Sequence, residues 1–166
     1  MERLFRWQTR NETQAAGKRL GNLLQAGDVI ALIGDLGTGK TTLTKGIAHG
    51  MGIRGMVQSP TFTLVQEYRG NPPLFHCDPY RLEGAEDLVL LGFEEYFERG
   101  GVVIMEWADK VESLLPTDRL TLTLTFAEAT EDFGEDAPRL CRAVPGGTRS
   151  LALLLAWQGE IDASSE

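Results

Sequence analysis

Apolar and polar positions change period several times along the chain, and each change marks an element. Residues 11–27, NETQAAGKRLGNLLQAG, set small and apolar positions at helical spacing, with Asn11 able to cap the start and Gly27 to end it. DVIALI, residues 28–33, is a near-continuous apolar run that predicts a buried strand of about five residues. A glycine-rich stretch follows. KTTLTKGIAHGMG then carries Leu43, Ile47 and Met51 at steps of four, which predicts a helix stopping near Gly52. The second part of SPTFTLVQEYRG alternates and predicts a strand after a loop. The run in PPLFHCDPY ends at Asp78 and is stopped by Pro79. EGAEDLVLLGFEEYFERGG has a helical pattern broken at Gly92, and GVVIMEWAD is a β-branched buried strand. DRLTLTLTF alternates strictly and RLCRAV weakly. The acidic, turn-like AEATEDFGEDAP lies between them, so the pair predicts a hairpin with a long loop. GGTRSLALLLAWQ predicts a short final helix, and GEIDASSE a frayed tail. With no internal repeat and no linker, the pattern describes one domain over residues 1–158 and a tail over 159–166.

Composition sharpens this picture. The chain has 166 residues, 42% hydrophobic and 24% charged, the balance of a soluble globular domain. Its longest apolar runs, such as LALLLAW, are too short to cross a bilayer, and no secretory pattern opens it, so a cytoplasmic location is expected. Cys77 and Cys141 form no CxxC pair and have no companion Cys/His cluster, so they read as small apolar fillers rather than as zinc ligands or a disulfide. The net charge of −8 is uneven. Residues 1–83 carry 10 basic against 7 acidic side chains, and residues 84–166 carry 6 against 17. An acidic chain is a poor general binder of nucleic acid, because that affinity comes from neutralising phosphates. Any RNA contact would need a partner's basic surface, and the acidic half reads as solubility.

Chemistry is concentrated in GDLGTGKTT, residues 34–42, where Gly34 to Thr41 fit G-x-x-x-x-G-K-[ST] without mismatch. The glycines, Gly37 and Gly39 among them, let the backbone curl so that N–H groups converge on one cavity with Thr38, Thr41 and Thr42 around it. The following helix adds the positive end of its dipole. Lys40 puts a cation on the outer phosphates, and Thr41 offers a hydroxyl to Mg²⁺. Because the motif follows a predicted strand and opens a predicted helix, it predicts phosphate binding. The fold class follows: α/β, a P-loop NTPase-like three-layer sandwich, with a mainly parallel sheet, helices on both faces and an antiparallel hairpin near the C-terminus.

A magnesium nucleotide also needs a carboxylate at a neighbouring strand end. Asp78 and Glu106 both qualify. The more buried VVIM run before Glu106 assigns that residue to the metal, leaving Asp78 to orient the attacking water or the loop threonines; which acid positions water stays open. SPTFT supplies Ser59, Thr61 and Thr63, and a threonine in such a loop can sense the γ-phosphate. Trp107 lies either by the nucleotide or as a plug at the sheet edge. His49 and His76 have no partners at useful spacing and read as structural. No N-K-x-D stretch occurs, so adenine is favoured over guanine, with the start of the first helix and the second hairpin strand as walls and Arg10 and Arg139 as contacts.

GDLGTGKTTLTKGI, SPTFTLVQEY, HCDPYRL, LGFEEYF and IMEWAD come in this order. Together they closely resemble the TsaE (YjeE) family of small bacterial ATPases, from about Asn11 to about Val144. EWAD departs from the family, which commonly has proline after the tryptophan, and so does DPY, where leucine often sits between acid and tyrosine. The resemblance implies an ATPase that docks on a TsaD–TsaB complex and supports turnover as threonylcarbamoyladenosine forms beside the tRNA anticodon, with tRNA met only through that complex. It implies ATP and Mg²⁺ as cofactors, Lys40 and Thr41 as phosphate and metal residues, Glu106 as the metal carboxylate, and Asp78 and Thr61 as hydrolysis or switch residues. Two other readings share the phosphate loop: a small-molecule kinase, and a nucleotide-sensing module that does not hydrolyse.

Overall fold

The computed structural model describes residues 1–35, 37–55, 57, 64–127 and 137–164. In chain order the elements are β1 (Arg3–Trp7), α1 (Arg10–Leu23), β2 (Val29–Ile33), α2 (Lys40–Gly50), β3 (Val65–Tyr68), β4 (Leu74–Cys77), α3 (Ala85–Leu90), α4 (Glu95–Glu98), β5 (Val102–Glu106), β6 (Leu120–Phe126), β7 (Arg139–Pro145) and α5 (Thr148–Ser164). Two 3₁₀ turns, Ala108–Lys110 and Glu112–Leu114, follow β5. The strands form one sheet in the order β1-β7-β6-β2-β5-β4-β3.

The α/β class and the hairpin near the C-terminus match the expectation; the mainly parallel sheet does not. Only the central strands β4, β5, β2 and β6 run parallel. β3 pairs antiparallel with β4, β7 with β6, and β1 with β7, so the sheet is mixed. The parallel centre follows from burial: β5 is buried at every position and reads VVIME without alternation. At one edge the five residues between β3 and β4 are too few for a parallel crossover; at the other, β1 and β7 pair from opposite ends of the chain.

Alternation along β2 divides the core between the two faces. Ile30 and Leu32 join the cluster containing Leu20, Leu43, Ile47 and Leu153, from α1, α2 and α5. Val29 and Ala31 join the cluster containing Leu88 and Phe93, beneath α3 and the turn before α4. Cys77 and Cys141 are buried free thiols in different clusters, as the filler reading expected.

On the first face, α1 and α2 touch backbone to backbone. A Cβ added at Gly21 would lie 2.1 Å from the Ile47 carbonyl oxygen, and one at Gly46 would lie 2.2 Å from that of Gln14. This contact fixes the axis of α2, whose first residue is Lys40. α1 itself starts at Arg10, because the Thr9 hydroxyl, rather than Asn11, caps it by accepting from the Glu12 N–H at 3.2 Å.

Two elements depart from the sequence pattern. β1 escaped it: RLFRW buries only Phe5 and Trp7, too few alternations to register as a strand. α5 runs on to Ser164, so residues 159–164 are helix and not a frayed tail. The cause is an apolar stripe that continues from Leu154 and Trp157 to Ile161 against the first core cluster. The Trp157 indole N–H donates to the Ala16 carbonyl at 2.9 Å, tying α5 to α1. The Asp118 carboxylate holds the start of α5, accepting from the N–H groups of Arg149 at 3.0 Å and Ser150 at 2.9 Å.

Candidate functional site

β2 ends at Ile33, and the chain turns through a glycine loop into α2 at Lys40. Gly37 and Gly39 have φ of +82° and +103°, which a side chain would strain, and a Cβ at Gly37 would meet nothing within 4 Å. The loop therefore borders open space. Gly39 caps α2 without a side chain, leaving the first-turn N–H groups beside Thr41 and Thr42 with no capping oxygen. Both threonines are half-buried. The Thr38 hydroxyl donates to the Asp35 carbonyl at 2.7 Å and closes the turn.

Lys40 is 6% exposed. Its Nζ donates to the Gly34 carbonyl at 2.6 Å and stands 3.7 Å from the centroid of the Trp107 ring. Burial lowers its pKa from the usual lysine value, opposed by the nearby charges of Glu106, Asp78, Asp109 and Asp35. Arg139, at the start of β7, reaches the loop from behind. It donates to the carbonyls of Thr38 and Gly37, each at 3.1 Å, and to that of Ala137, and its guanidinium stacks 4.4 Å over the Phe126 ring. Arg10 is exposed at the first residue of α1. One turn later, buried Thr13 has its methyl 3.9 Å from where a Cβ on Gly39 would stand.

The two acids leave the same end of the sheet on adjacent parallel strands. β4 and β5 pair Cys77 with Met105, which sets Asp78 beside Glu106, and β2 pairs Leu32 with Glu106 just before the glycine loop. Both residues are 3% exposed. Asp78 accepts from the Tyr80 N–H at 2.9 Å, and its own N–H donates to the Leu64 carbonyl at 2.8 Å. Leu64 and Trp107 are the non-glycine residues with positive φ among those described, at +66° and +52°. Such backbone strain gathers at functional sites, and here each of the two flanks one of the acids. The Trp107 ring lies between Lys40 and Tyr80, 5.0 Å from the latter. It therefore belongs to the loop and does not plug a sheet edge.

His76 corrects the sequence reading. It is fully buried on β4, and its Nε2 lies 2.6 Å from Glu106 Oε2. The partner is thirty residues away and visible only once the strands are in register. His49 is exposed in the last turn of α2. Ser59, Thr61 and Thr63 lie outside the described residues.

A cavity of about 280 Å³ opens beside the loop, lined by Gly34, Asp35, Thr38, Trp107, Asp109 and Phe126 among others. A pocket of about 380 Å³ at the opposite end of the sheet is lined by Gly27, Val29, Gly101, Leu114 and similar residues, with no ionisable side chain. Of these two, the first carries ionisable side chains, Asp35 and Asp109. Among the described residues, no group of three His, Cys, Asp or Glu side chains could hold a metal ion.

The family model described as "Threonylcarbamoyl adenosine biosynthesis protein TsaE" matches residues 7–134. The chain is 48% identical over 127 residues to the tRNA threonylcarbamoyladenosine biosynthesis protein TsaE of Bacillus subtilis (strain 168), covering 74% of this chain and 78% of the relative. It is 42% identical over 113 residues to the protein of the same description from Treponema pallidum (strain Nichols), covering 68% and 84%. The crystal structure of YdiB from Bacillus subtilis superposes with a TM-score of 0.80 at 36% identity, covering 96% of each chain.

Proposed function

Because this chain belongs to the TsaE family, we propose that it is a Mg²⁺-dependent P-loop ATPase that docks on a TsaD–TsaB complex and supports turnover in forming threonylcarbamoyladenosine on tRNA. The observation that carries this reading is the convergence of Lys40, Glu106 and Asp78 at the mouth of the glycine loop. The residues fit a triphosphate and Mg²⁺. Gly37 borders space that a phosphate could fill, and the donors offered to a cation, the Thr41 hydroxyl and the Glu106 carboxylate, are hard oxygens of the kind Mg²⁺ prefers.

In the proposed mechanism the loop N–H groups and the first turn of α2 cradle the triphosphate. Lys40 would exchange its Gly34 carbonyl for phosphate oxygens, and Thr41 and Glu106 would hold the metal. Bound Mg²⁺ supplies neutralisation of charge developing on the phosphoryl oxygens. Asp78, its backbone pinned by Leu64 and its Oδ1 by Tyr80, orients water or the 59–63 threonines. Arg139 keeps the loop carbonyls turned away from the phosphates, so that the N–H groups face in. The wall beside Phe126 and Trp107 offers a π-surface for adenine, with Arg10 at the start of α1 as a further contact. Bound ATP would order a docking surface, and hydrolysis would release it. A small-molecule kinase reading lacks a basic lid in the sequence, since residues 127–138 are acidic.

The test is phosphate release by the pure chain with and without TsaD–TsaB. Slow release alone and stimulation by the complex are expected. Release without stimulation, or binding without release, would turn the reading towards the kinase or the sensor. Lys40→Ala removes a charge-assisted contact of about 1.5–3 kcal/mol, which weakens nucleotide binding roughly ten- to 150-fold by equilibrium titration.

A further inference from the structure

Among the described residues, His76 is a fully buried side chain that the proposed mechanism leaves without a task, and its ring is in contact with one of the site's acids. It sits on the face of β4 shared with Leu74, and Glu106 on the face of β5 shared with Ile104, both turned towards α1 and α2. The register pairs His76 with Ile104, so Glu106 is its diagonal neighbour two residues further along β5. At 2.6 Å, Nε2 and Glu106 Oε2 share a short hydrogen bond, and the carboxylate accepts. The other ring nitrogen, Nδ1, is buried without a partner among the described residues. A buried N–H there would be left unsatisfied, whereas a bare acceptor costs less. The ring hydrogen therefore sits on Nε2, facing Glu106.

We infer that His76 is a positioning residue for Glu106. Its Nε2–H fixes Oε2 and the plane of the carboxyl group, leaving Oε1 as the oxygen offered to the metal beside Lys40 and Thr41. Backbone geometry alone leaves a glutamate three side-chain torsions to settle, and the only side chain seen to hold Glu106 among the described residues is this imidazole. The inference rests on the Mg·ATP reading of the site.

The experiment measures the affinity for a non-hydrolysable ATP analogue by calorimetry, with Mg²⁺ and with EDTA. The parent, His76→Leu and His76→Gln are compared. In the parent, Mg²⁺ tightens binding. His76→Leu keeps the volume and loses the donor; it is expected to lose about ten- to hundredfold of that Mg²⁺ advantage with the EDTA affinity unchanged. His76→Gln, which still carries a donor, recovers most of it. If His76→Leu does not fold, His76→Asn, too short to reach Glu106, replaces it with the same expectation. A variant without the donor that keeps the parental Mg²⁺ advantage, or one that loses affinity equally in EDTA, overturns the assignment of His76. A parent showing no Mg²⁺-dependent binding overturns the nucleotide reading with it.

Discussion

At the scale of single residues, the site turns on Lys40 and what surrounds it. The ammonium lies against the Trp107 ring at 3.7 Å and on the Gly34 carbonyl at 2.6 Å, so any anion that draws it into the loop changes the environment of the indole. Trp107 emission is accordingly expected to change on titration with an ATP analogue, and steady-state fluorescence checks it; constant emission at saturation would place the indole away from the bound nucleotide. Lys40, Thr41 and the loop glycines were legible in the sequence because their chemistry is contiguous, nine residues running from the end of a strand into the first turn of a helix. The acids at 78 and 106 were legible because each ends an apolar run. The link between His76 and Glu106 was not, since it exists only across a strand pairing that spacing does not encode. The hold of Arg139 on the loop escaped for the same reason, its partners Thr38 and Gly37 lying about a hundred positions away.

At the scale of elements, α5 shows how capping and packing combine. Asp118 accepts from two N–H groups of its first turn, and the Arg149 guanidinium donates to both Asp28 oxygens at 2.9 Å and to the Leu23 carbonyl at 3.1 Å. Hydrogen bonds from Ser150 lower the Asp118 pKa below its ordinary carboxylate value. A depressed carboxylate stabilises the fold above its unfolded pKa of about 3.9, and that contribution disappears as pH falls through the lower folded value. Asp118→Ala is therefore expected to cost about 1 kcal/mol near neutrality, in the range of helix caps. The gap to the parent should close as the pH drops below about 4, as read by urea denaturation across pH. The helix itself was foreseen and its length was not, because Ile161 follows a polar run that local pattern reads as an end. β1 was missed because its identity as a strand depends on pairing with β7, at the other end of the chain.

At the scale of the whole molecule, the α/β class was legible and the mixed sheet was not. Local patterns show that strands and helices alternate, but strand direction at the edges is decided by pairings that join distant segments. The finished sheet is covered unequally. One face carries α1, α2 and the seventeen-residue α5; the other carries α3, α4 and two single turns. α1 and α2 meet with no side chain between them at Gly21 and Gly46, so neither can slide without one main chain running into the other. In deuterated buffer the amides of α1 and of α2 beyond its first turn should be among the last to exchange, at a rate nucleotide barely alters, while those of α3 and α4 exchange early; mass spectrometry of peptic fragments would read the contrast. The molecule then has an anvil side and a yielding side, and only the second has room to carry a change of shape outwards.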